Sequence, residues 1–527
     1  MAYYKNAIRD RRVREYLPVT RILWQQNCYG AENLIGNLNI QAQVVCDEPS
    51  LLLQHGGGIL LDFGIELPGG VRIVNGFTEG KIRLRFGESA SEAMHHPNQH
   101  HAVHDSIIDL PAMGMAEFGN TAFRFLRIDS ASDTDLEIRG VVAVALFHDL
   151  KYAEFRSSDE CLNRIWETGA YTLHLNMQDY IYDGAKRDRL VWMGDLNPEI
   201  RGIMAAFTDT SLIPKSLDYV RKQTPLPGVM NKITTYSLWW IINIYNYFQH
   251  SGDHEWLEAQ QSYLEQLLPQ VLTYVGENGV EQVPARRFLD WPNDDNPVAV
   301  HAGLQGLLYW ALGCAVELGK ILEFDTVAVQ AAKTLMSKYI PNCGGSKAAA
   351  AMMTVSGLAD KSDILQHNQF SGVSTFYGYY MLLAQPVTSA LELIRRYWGG
   401  MLDFGATTFW EDFDLNWLHN ASSIAELPIP GKDDLHADFG NYCYKGLRHS
   451  LCHGWACGPT PYLSEKVLGV KILEPGCKTL EIVPNLVDLE FIRGTFPTPS
   501  GMVDIQLERG KPAKIQAPLS INIKTVE

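Results

Sequence analysis

Thirteen consecutive residues, Asp183 to Asp195, hold three carboxylates (Asp183, Asp188, Asp195), three cations (Lys186, Arg187, Arg189) and one indole (Trp192). Asn197-Pro198 follows, a pair that reads as the N-cap and first position of a helix, so the segment is expected to be a loop entering a helix. In an extended loop Asp188 points away from Arg187 and Arg189, which leaves both guanidiniums able to clamp other groups. A carboxylate cluster of this kind serves proton transfer or polar-ligand binding; a network of ion pairs at a helix junction has the same composition.

The elements that must carry this loop are legible from changes in hydrophobic period. From about Ile40 to Phe147 the pattern is that of strands: Ile82, Leu84 and Phe86 alternate with Arg83 and Arg85, and Val141 to Phe147 is a short apolar run. Gly56-Gly57-Gly58 and Pro68-Gly69-Gly70 read as turns of an antiparallel sandwich. At Ser157 the period becomes helical, with Ser157 and Glu160 spaced as a capping box. Thr235 to His250 is apolar nearly all round and is expected to be buried on both faces, whereas His254 to Val275 has one apolar stripe (Leu264, Leu267, Leu268, Val271) and an expected kink at Pro269. Alternation of these two kinds of helix to about residue 455 predicts two concentric helical layers, an α/α barrel. Val503, Ile505 and Leu507, after the turn at Pro499-Ser500-Gly501, announce a closing β-domain. The expected domains are 1–155 (arm and β-sandwich), 156–460 (helical barrel) and 461–527 (β-domain).

The balance of 44 Lys+Arg against 60 Asp+Glu, net −16, disfavours a nucleic-acid partner. No apolar run reaches the roughly 18 residues of a membrane span, the longest being Leu307 to Val316, and no membrane partner is expected. The basic N-terminus (Lys5, Arg9, Arg11, Arg12, Arg14) is interrupted by Glu15 and Pro18 where a leader would be apolar. Nine thinly spread cysteines suggest free thiols, and the chain as given reads as cytoplasmic unless a leader was removed. His95, His96, His100, His101 and His104 form an imidazole-rich stretch whose spacing fits no closed tetrahedral site; Cys452 and Cys457 have no second pair. There is no Walker A loop and no dinucleotide fingerprint, so neither a metal nor a cofactor is expected.

Three segments resemble α-L-rhamnosidases of glycoside hydrolase family seventy-eight. Asp183 to Asp195 is similar to the acidic motif D-C-P-x-R-E-R-x-G-W-x-G-D, keeping Asp183, Arg187, Arg189, Trp192, Gly194 and Asp195 in register; Gly405-Ala406-Thr407-Thr408-Phe409-Trp410-Glu411 resembles G-A-T-T-x-W-E; and Ser450-Leu451-Cys452-His453 resembles S-x-N-H. The likeness covers roughly residues 40 to 527. It implies a central (α/α)6 six-hairpin barrel flanked by an N-terminal β-sandwich and a small C-terminal β-sandwich.

By the same resemblance, Asp188 takes the place of the general acid and Glu411 that of the general base in an inverting exo-hydrolysis that releases terminal L-rhamnose. Asp188 departs from the family's glutamate: it is one methylene shorter, and its lower reference pKa demands a larger rise before it can hold a proton near neutrality. Gly184-Ala185 replaces Cys-Pro, and Val191 replaces the motif glycine. Asp183, Asp195, Arg187 and His453 correspond to sugar-binding positions. Trp192, Trp291, Trp410 and Trp455 offer indole faces for a deoxy sugar, and Asp290-Trp291 with Asp294 and Asp295 resembles a pocket-lining element. Burial and neighbouring carboxylates are expected to raise the Asp188 pKa. A catalytically silent carbohydrate-binding protein on the same scaffold, or a barrel hydrolase for another sugar, remains open at this stage, as does a homo-oligomer.

Overall fold

The computed structural model describes residues 8–44, 50–96, 104–442 and 444–525. Lys5, Cys46, His100, His101 and Cys443 lie outside these residues. The chain divides into two compact units: the first comprises residues up to 150 with 424–438 and 446–448, the second everything else.

The first unit is a seven-stranded sheet. Its strands are β1 (Val13–Pro18), β2 (Arg21–Tyr29), β3 (Leu51–Asn75), β4 (Gly80–Gly87), β5 (His104–Leu110), β6 (Met115–Ser130) and β7 (Leu136–Phe147), with a short helix α1 (Ala90–Met94) after β4. The order is β1-β7-β3-β6-β4-β5, with β2 also on β3. One sequence expectation fails here: both glycine-rich signals, expected as turns, lie inside the 25-residue strand β3, whose register on β7 runs from Gly69 opposite Ala145 to Val74 opposite Gly140, the opposed numbering of an antiparallel pair. The glycines produce irregularities rather than reversals: register against β6 shifts between Asp62 and Leu67 and again between Gly69 and Val71. Gly69 has φ 140°, and the carbonyl of Val144 occupies the space a Cβ would need, the mark of a bulge at a close backbone approach. Ile82, Leu84 and Phe86 are buried as the alternation predicts, together with Val141, Ala143 and Ala145. Asp62, also buried, is held by Arg124 (Nε–Oδ1 2.9 Å) and Arg21 (Nη2–Oδ2 3.0 Å).

The second unit opens on β8 (Phe155–Ser157) and is dominated by helices: α2 (Glu160–Asn176), α3 (Leu196–Ala206), α4 (Leu212–Lys222), α5 (Thr234–Ser251), α6 (His254–Leu272), α7 (Pro297–Leu322), α8 (Val327–Met336), α9 (Lys347–Val355), α10 (Ser362–Gln366), α11 (Thr375–Leu383), α12 (Val387–Leu393), α13 (Gly399–Asp403) and α14 (Pro459–Tyr462). The cap of α2 is Asp159, whose carboxylate accepts the Cys161 and Leu162 amides. Ser157 instead ends β8, where it bonds Asn163. Likewise Asp195, not Asn197, occupies the N-cap position of α3; Asn197 is drawn inward to Asn243 and Tyr380. Pro198 then falls in the first turn, where a missing N–H is harmless. α5 is buried on both sides as expected, and α6 faces solvent with Glu255, Glu258 and Glu265 and continues past Pro269 to Leu272. The 26-residue α7 is long and apolar enough to cross a membrane, but that composition is matched by burial against α5, α8 and α9.

Two-residue strands follow, β9 (Ala421–Ser422) here and β10 (Asp433–Asp434) in the first unit. The chain then ends in β11 (Val470–Glu474), β12 (Thr479–Ile482), β13 (Phe491–Thr498), β14 (Gly501–Glu508), β15 (Lys514–Gln516) and β16 (Asn522–Lys524). β13 and β14 form the expected hairpin about Pro499-Ser500, burying Val503 and Ile505. β13 also pairs with β8, and these closing strands cluster with the helices in one unit. The seven described cysteines are free.

Candidate active site

Backbone pairing draws the three acidic and polar segments together. Gly184 bridges His453 antiparallel, the Ala185 amide donates to the Cys452 carbonyl (3.1 Å), and the Gly454 amide donates to the Asp183 carbonyl (2.7 Å). On the other side of the same strip, the His453 amide donates to Phe409 (2.9 Å) and the Glu411 amide to Ser450 (2.9 Å). The Thr408 hydroxyl adds a bond to the Leu451 carbonyl (2.7 Å). Residues 183–185, 450–454 and 408–411 thus form a three-segment ladder, and all of them belong to the second unit.

On this ladder the carboxyls are unequally buried. Asp183 is 4% exposed; its Oδ1 accepts the Leu190 amide (2.9 Å) and its Oδ2 the Asp188 amide (3.3 Å). Burial, with Asp195 and Asp188 adding to it, raises its pKa to about 7, against the opposing influence of His453. Asp195, at the start of α3, is 3% exposed, accepts the Tyr236 hydroxyl (3.2 Å) and is likewise pushed up to about 7, chiefly by burial. Glu199, one turn farther along α3, is raised well above the usual carboxylate range by burial and by Asp195 and Asp183. It packs over the backbone of Gly454, where any side chain would collide with its carboxyl group. His453 is buried and lowered to about 4 by desolvation. Its Nε2 lies 3.5 Å from Asp195 Oδ2, a contact of a neutral imidazole with a carboxyl rather than a charged pair.

Glu411 stands on the opposite segment. Its Oε2 accepts the Ser450 amide (3.1 Å), while its carbonyl receives the Trp455 indole N–H (2.9 Å) and the Thr375 hydroxyl. Burial raises the carboxyl well above its ordinary range, Asp183 and Asp188 add to the rise, and the Ser450 amide and Arg187 oppose it. Asp188 acts electrostatically on Glu411, Asp183, Asp195 and His453. The expectation that Asp188 is buried fails: it is exposed, whereas Arg187 beside it is buried. Arg189 turns its guanidinium over the Tyr182 ring (5.6 Å).

A second acidic group adjoins Glu411. Asp290 accepts the Ser374 hydroxyl (2.7 Å) and is raised to about 7 by burial, with Asp412 adding to the shift; Asp412 is itself raised to about 7. The Asp412 amide donates to His449 Nε2 (2.9 Å). Trp291, half-buried, stacks on Tyr442 (6.3 Å, 22°) and meets Tyr444 and Phe288 edge-on. Trp192 is half-buried, edge-on to Tyr236. Trp410, 1% exposed, packs edge-on against Phe413. Trp455 is also buried, stacked on Phe376. Sequence reasoning missed Glu199, Tyr236, Asp412, Ser374 and His449. Of these only Glu199 carried a signal, its i+4 spacing from Asp195 on a helix.

Residues 151–307 match the family model of the bacterial α-L-rhamnosidase six-hairpin glycosidase domain. Among solved structures, the chain is similar to a family seventy-eight rhamnosidase of Bacillus sp. GL1, with 19% identity, 94% of this chain and 55% of that one covered, and TM-score 0.73. It is similar to a rhamnosidase from Klebsiella oxytoca with rhamnose bound (19%, 86% and 96%, 0.66). A third similar structure is the Streptomyces avermitilis α-L-rhamnosidase complexed with L-rhamnose (16%, 92% and 49%, 0.72). The chain spans about half the length of the Bacillus and Streptomyces proteins. No curated protein matches. The chain resembles the α-L-rhamnosidases of glycoside hydrolase family seventy-eight, and it shares their fold.

Proposed function

We propose that this rhamnosidase-like chain is a glycoside hydrolase, an inverting exo-α-L-rhamnosidase acting on a terminal L-rhamnose, with its helices closed as an (α/α)6 barrel. The observation that carries the reading is the ladder, which gathers Asp183, Glu411 and His453 from three distant segments, with Asp195 set 3.5 Å from His453. In this mechanism Asp188 protonates the leaving oxygen while Glu411 activates water on the opposite face of an oxocarbenium-like sugar. A bound glycoside covering Asp188 supplies the desolvation that its exposed position lacks. Glu411 must be ionised to act as base; the Ser450 amide and Arg187 favour that form, and positive charge growing on the sugar ring adds to them. Asp183, Asp195 and Arg187 bind hydroxyls, and Trp192, Trp291 and Asp290 line the sugar's surround. Thinly spread free thiols fit a reducing, cytoplasmic setting.

The second reading, a silent sugar-binding scaffold, is favoured by one observation: the residue in the acid's place is both short and exposed. A panel of chromogenic α-L-rhamnoside, α-L-fucoside and glucuronide substrates separates the two. Rhamnoside hydrolysis with β-L-rhamnose as the first product by proton NMR is expected. Retention of the α-anomer rejects inversion; hydrolysis of another glycoside alone moves the substrate class. Rhamnose binding in calorimetry without any hydrolysis makes the scaffold reading the correct one.

A further inference from the structure

A cavity of about 600 Å³ in the second unit has no part in the mechanism above. Segments 292–293, 345–347 and 363–372 line it, which places it among the approaches to α7, α9 and α11. Two helix caps fix its position relative to the site. The Ser374 hydroxyl accepts the Tyr377 amide (2.9 Å) at the start of α11 and donates to Asp290 Oδ2 (2.7 Å). The Ser346 hydroxyl accepts the Ala349 amide (3.2 Å) at the start of α9 and donates to Asn293 Oδ1 (2.7 Å). The turn from Asp290 to Asn293 is therefore pinned at both ends. Its first residue belongs to the acidic group beside Glu411, its last to the wall of the cavity, and the half-buried Trp291 lies between the two pins.

Lys347 gives the cavity its chemistry. It is 9% exposed, lines the cavity, and donates its ammonium to the carbonyls of Asn368 and Ser371. An ammonium carries three donors, so among the described residues one is left for a ligand. The lining holds one ammonium, one carboxylate (Asp363) and one imidazole (His367), which is no excess of charge that would select an anion. Among the described residues no phenyl, phenol or indole ring borders the cavity, so a flat aromatic group finds no face to stack on. Asn293, Ser371 and the ammonium instead offer hydrogen bonds to hydroxyl groups. The volume falls inside the ordinary range of ligand pockets, roughly 300–1,000 Å³.

We propose that this cavity is a leaving-group subsite for a neutral, hydroxyl-rich sugar unit next to the rhamnose, so that the substrate is a rhamnosyl saccharide and not the rhamnoside of an aromatic aglycone. The subsite presupposes the cleavage of rhamnose proposed above. Lys347 donates to a hydroxyl of that unit, a charged hydrogen bond stronger than one between neutral groups. Binding energy gained on a unit that does not react is then available to lower the barrier at the bond that does. The pinned turn from Asp290 to Asn293 couples the two places, since it holds the cavity wall and Asp290 in one fixed relation.

The test measures kcat/KM of the full chain on methyl α-L-rhamnoside and on an α-L-rhamnosyl-glucose disaccharide. Both leave as alcohols, so their ratio reports binding of the leaving group rather than its acidity. Wild type is expected to favour the disaccharide at least about tenfold. Lys347→Met removes the ammonium and Ser371→Trp fills the cavity; each should bring the ratio down toward unity, and Ser371→Trp decides if Lys347→Met does not fold. A variant that only loosens the loop lowers both rates together. Equal rates on the two substrates in wild type, or a ratio that the variants leave unchanged, overturns the subsite, while hydrolysis of 4-nitrophenyl α-L-rhamnoside still upholds the rhamnosidase reading. A higher kcat/KM on a rhamnosyl-glucuronate or on 2-phenylethyl α-L-rhamnoside than on the glucose disaccharide overturns the neutral-sugar class. No hydrolysis of any of these rhamnosides removes the rhamnosidase reading and the subsite with it.

Discussion

Asp62 in the first unit and Asp183, Asp195 and Asp290 in the second are all buried aspartates, but the protein accommodates them by different means. Asp62 sits between two guanidiniums, Arg124 and Arg21. The other three receive backbone amides, a phenol and a serine hydroxyl, and each is pushed up to about 7. The two guanidiniums make Asp62 the centre of an ion-pair network that ties β2, β3 and β6 together. Weaker donors in a dry setting leave the proton near balance at neutral pH, which is the condition proton chemistry needs.

The sharpest way to break this contrast is Glu411→Gln. Removing the proposed base should lower kcat on every α-L-rhamnoside by about 10³-fold, whatever the leaving group, with Tm held or raised because a buried acid has been removed. Wild-type turnover in this variant would reject the assignment. Next comes Arg124→Met, which leaves Asp62 with Arg21 and the Gly64 amide; the loss expected for breaking a buried pair is about 3 kcal/mol in urea melts, with kcat/KM unchanged in the folded fraction. A large fall in kcat there would erase the distinction between structural and reactive aspartates.

Asp188→Asn sharpens the contrast within the site. Turnover of alkyl rhamnosides should fall about 10²-fold, and that of a rhamnoside with an acidic phenol much less, because only the poor leaving group needs the proton. Equal losses on both would remove Asp188 as the donor. Asp290→Asn is read through the pH dependence of stability rather than through turnover. A carboxyl whose folded pKa is raised from 3.8 to about 7 favours folding most below the unfolded value, and that contribution is lost as pH rises through 7. Relative to wild type the asparagine variant should therefore gain stability between pH 4 and 8, by at most about 4 kcal/mol. A Tm difference that is flat with pH would contradict the raised pKa.

Much of the helical unit was legible because its pattern is long and redundant. α5 and α6 are told apart by one apolar face against two, and no single residue decides the matter. Local signals fared worse where a neighbour competed for the same role. Asp159 lies closer than Ser157 to the first free amides of α2, and Asn197 is drawn into the core, so the cap of α3 falls to Asp195. Glycines in β3 were ambiguous because positive φ serves a bulge as well as a turn. Residue type beside the site did not separate Trp410, which packs edge-on against Phe413 at 1% exposure, from the half-buried Trp192 and Trp291. Tyr236, Ser374 and His449 could not be found from spacing, since each reaches the site from another element.

The ladder of residues 183–185, 450–454 and 408–411 has a consequence in time. Its hydrogen bonds join residues 183–185 to residues 452–454, more than 260 positions away, and contacts of such separation form late, after the intervening chain has been ordered. During synthesis the first two-thirds of the protein can gather its helices while Asp188 and Glu411 still belong to different, unconnected stretches. Catalytic competence should consequently emerge as a final event in refolding, after helical circular dichroism has recovered, so that the appearance of activity marks the completed chain.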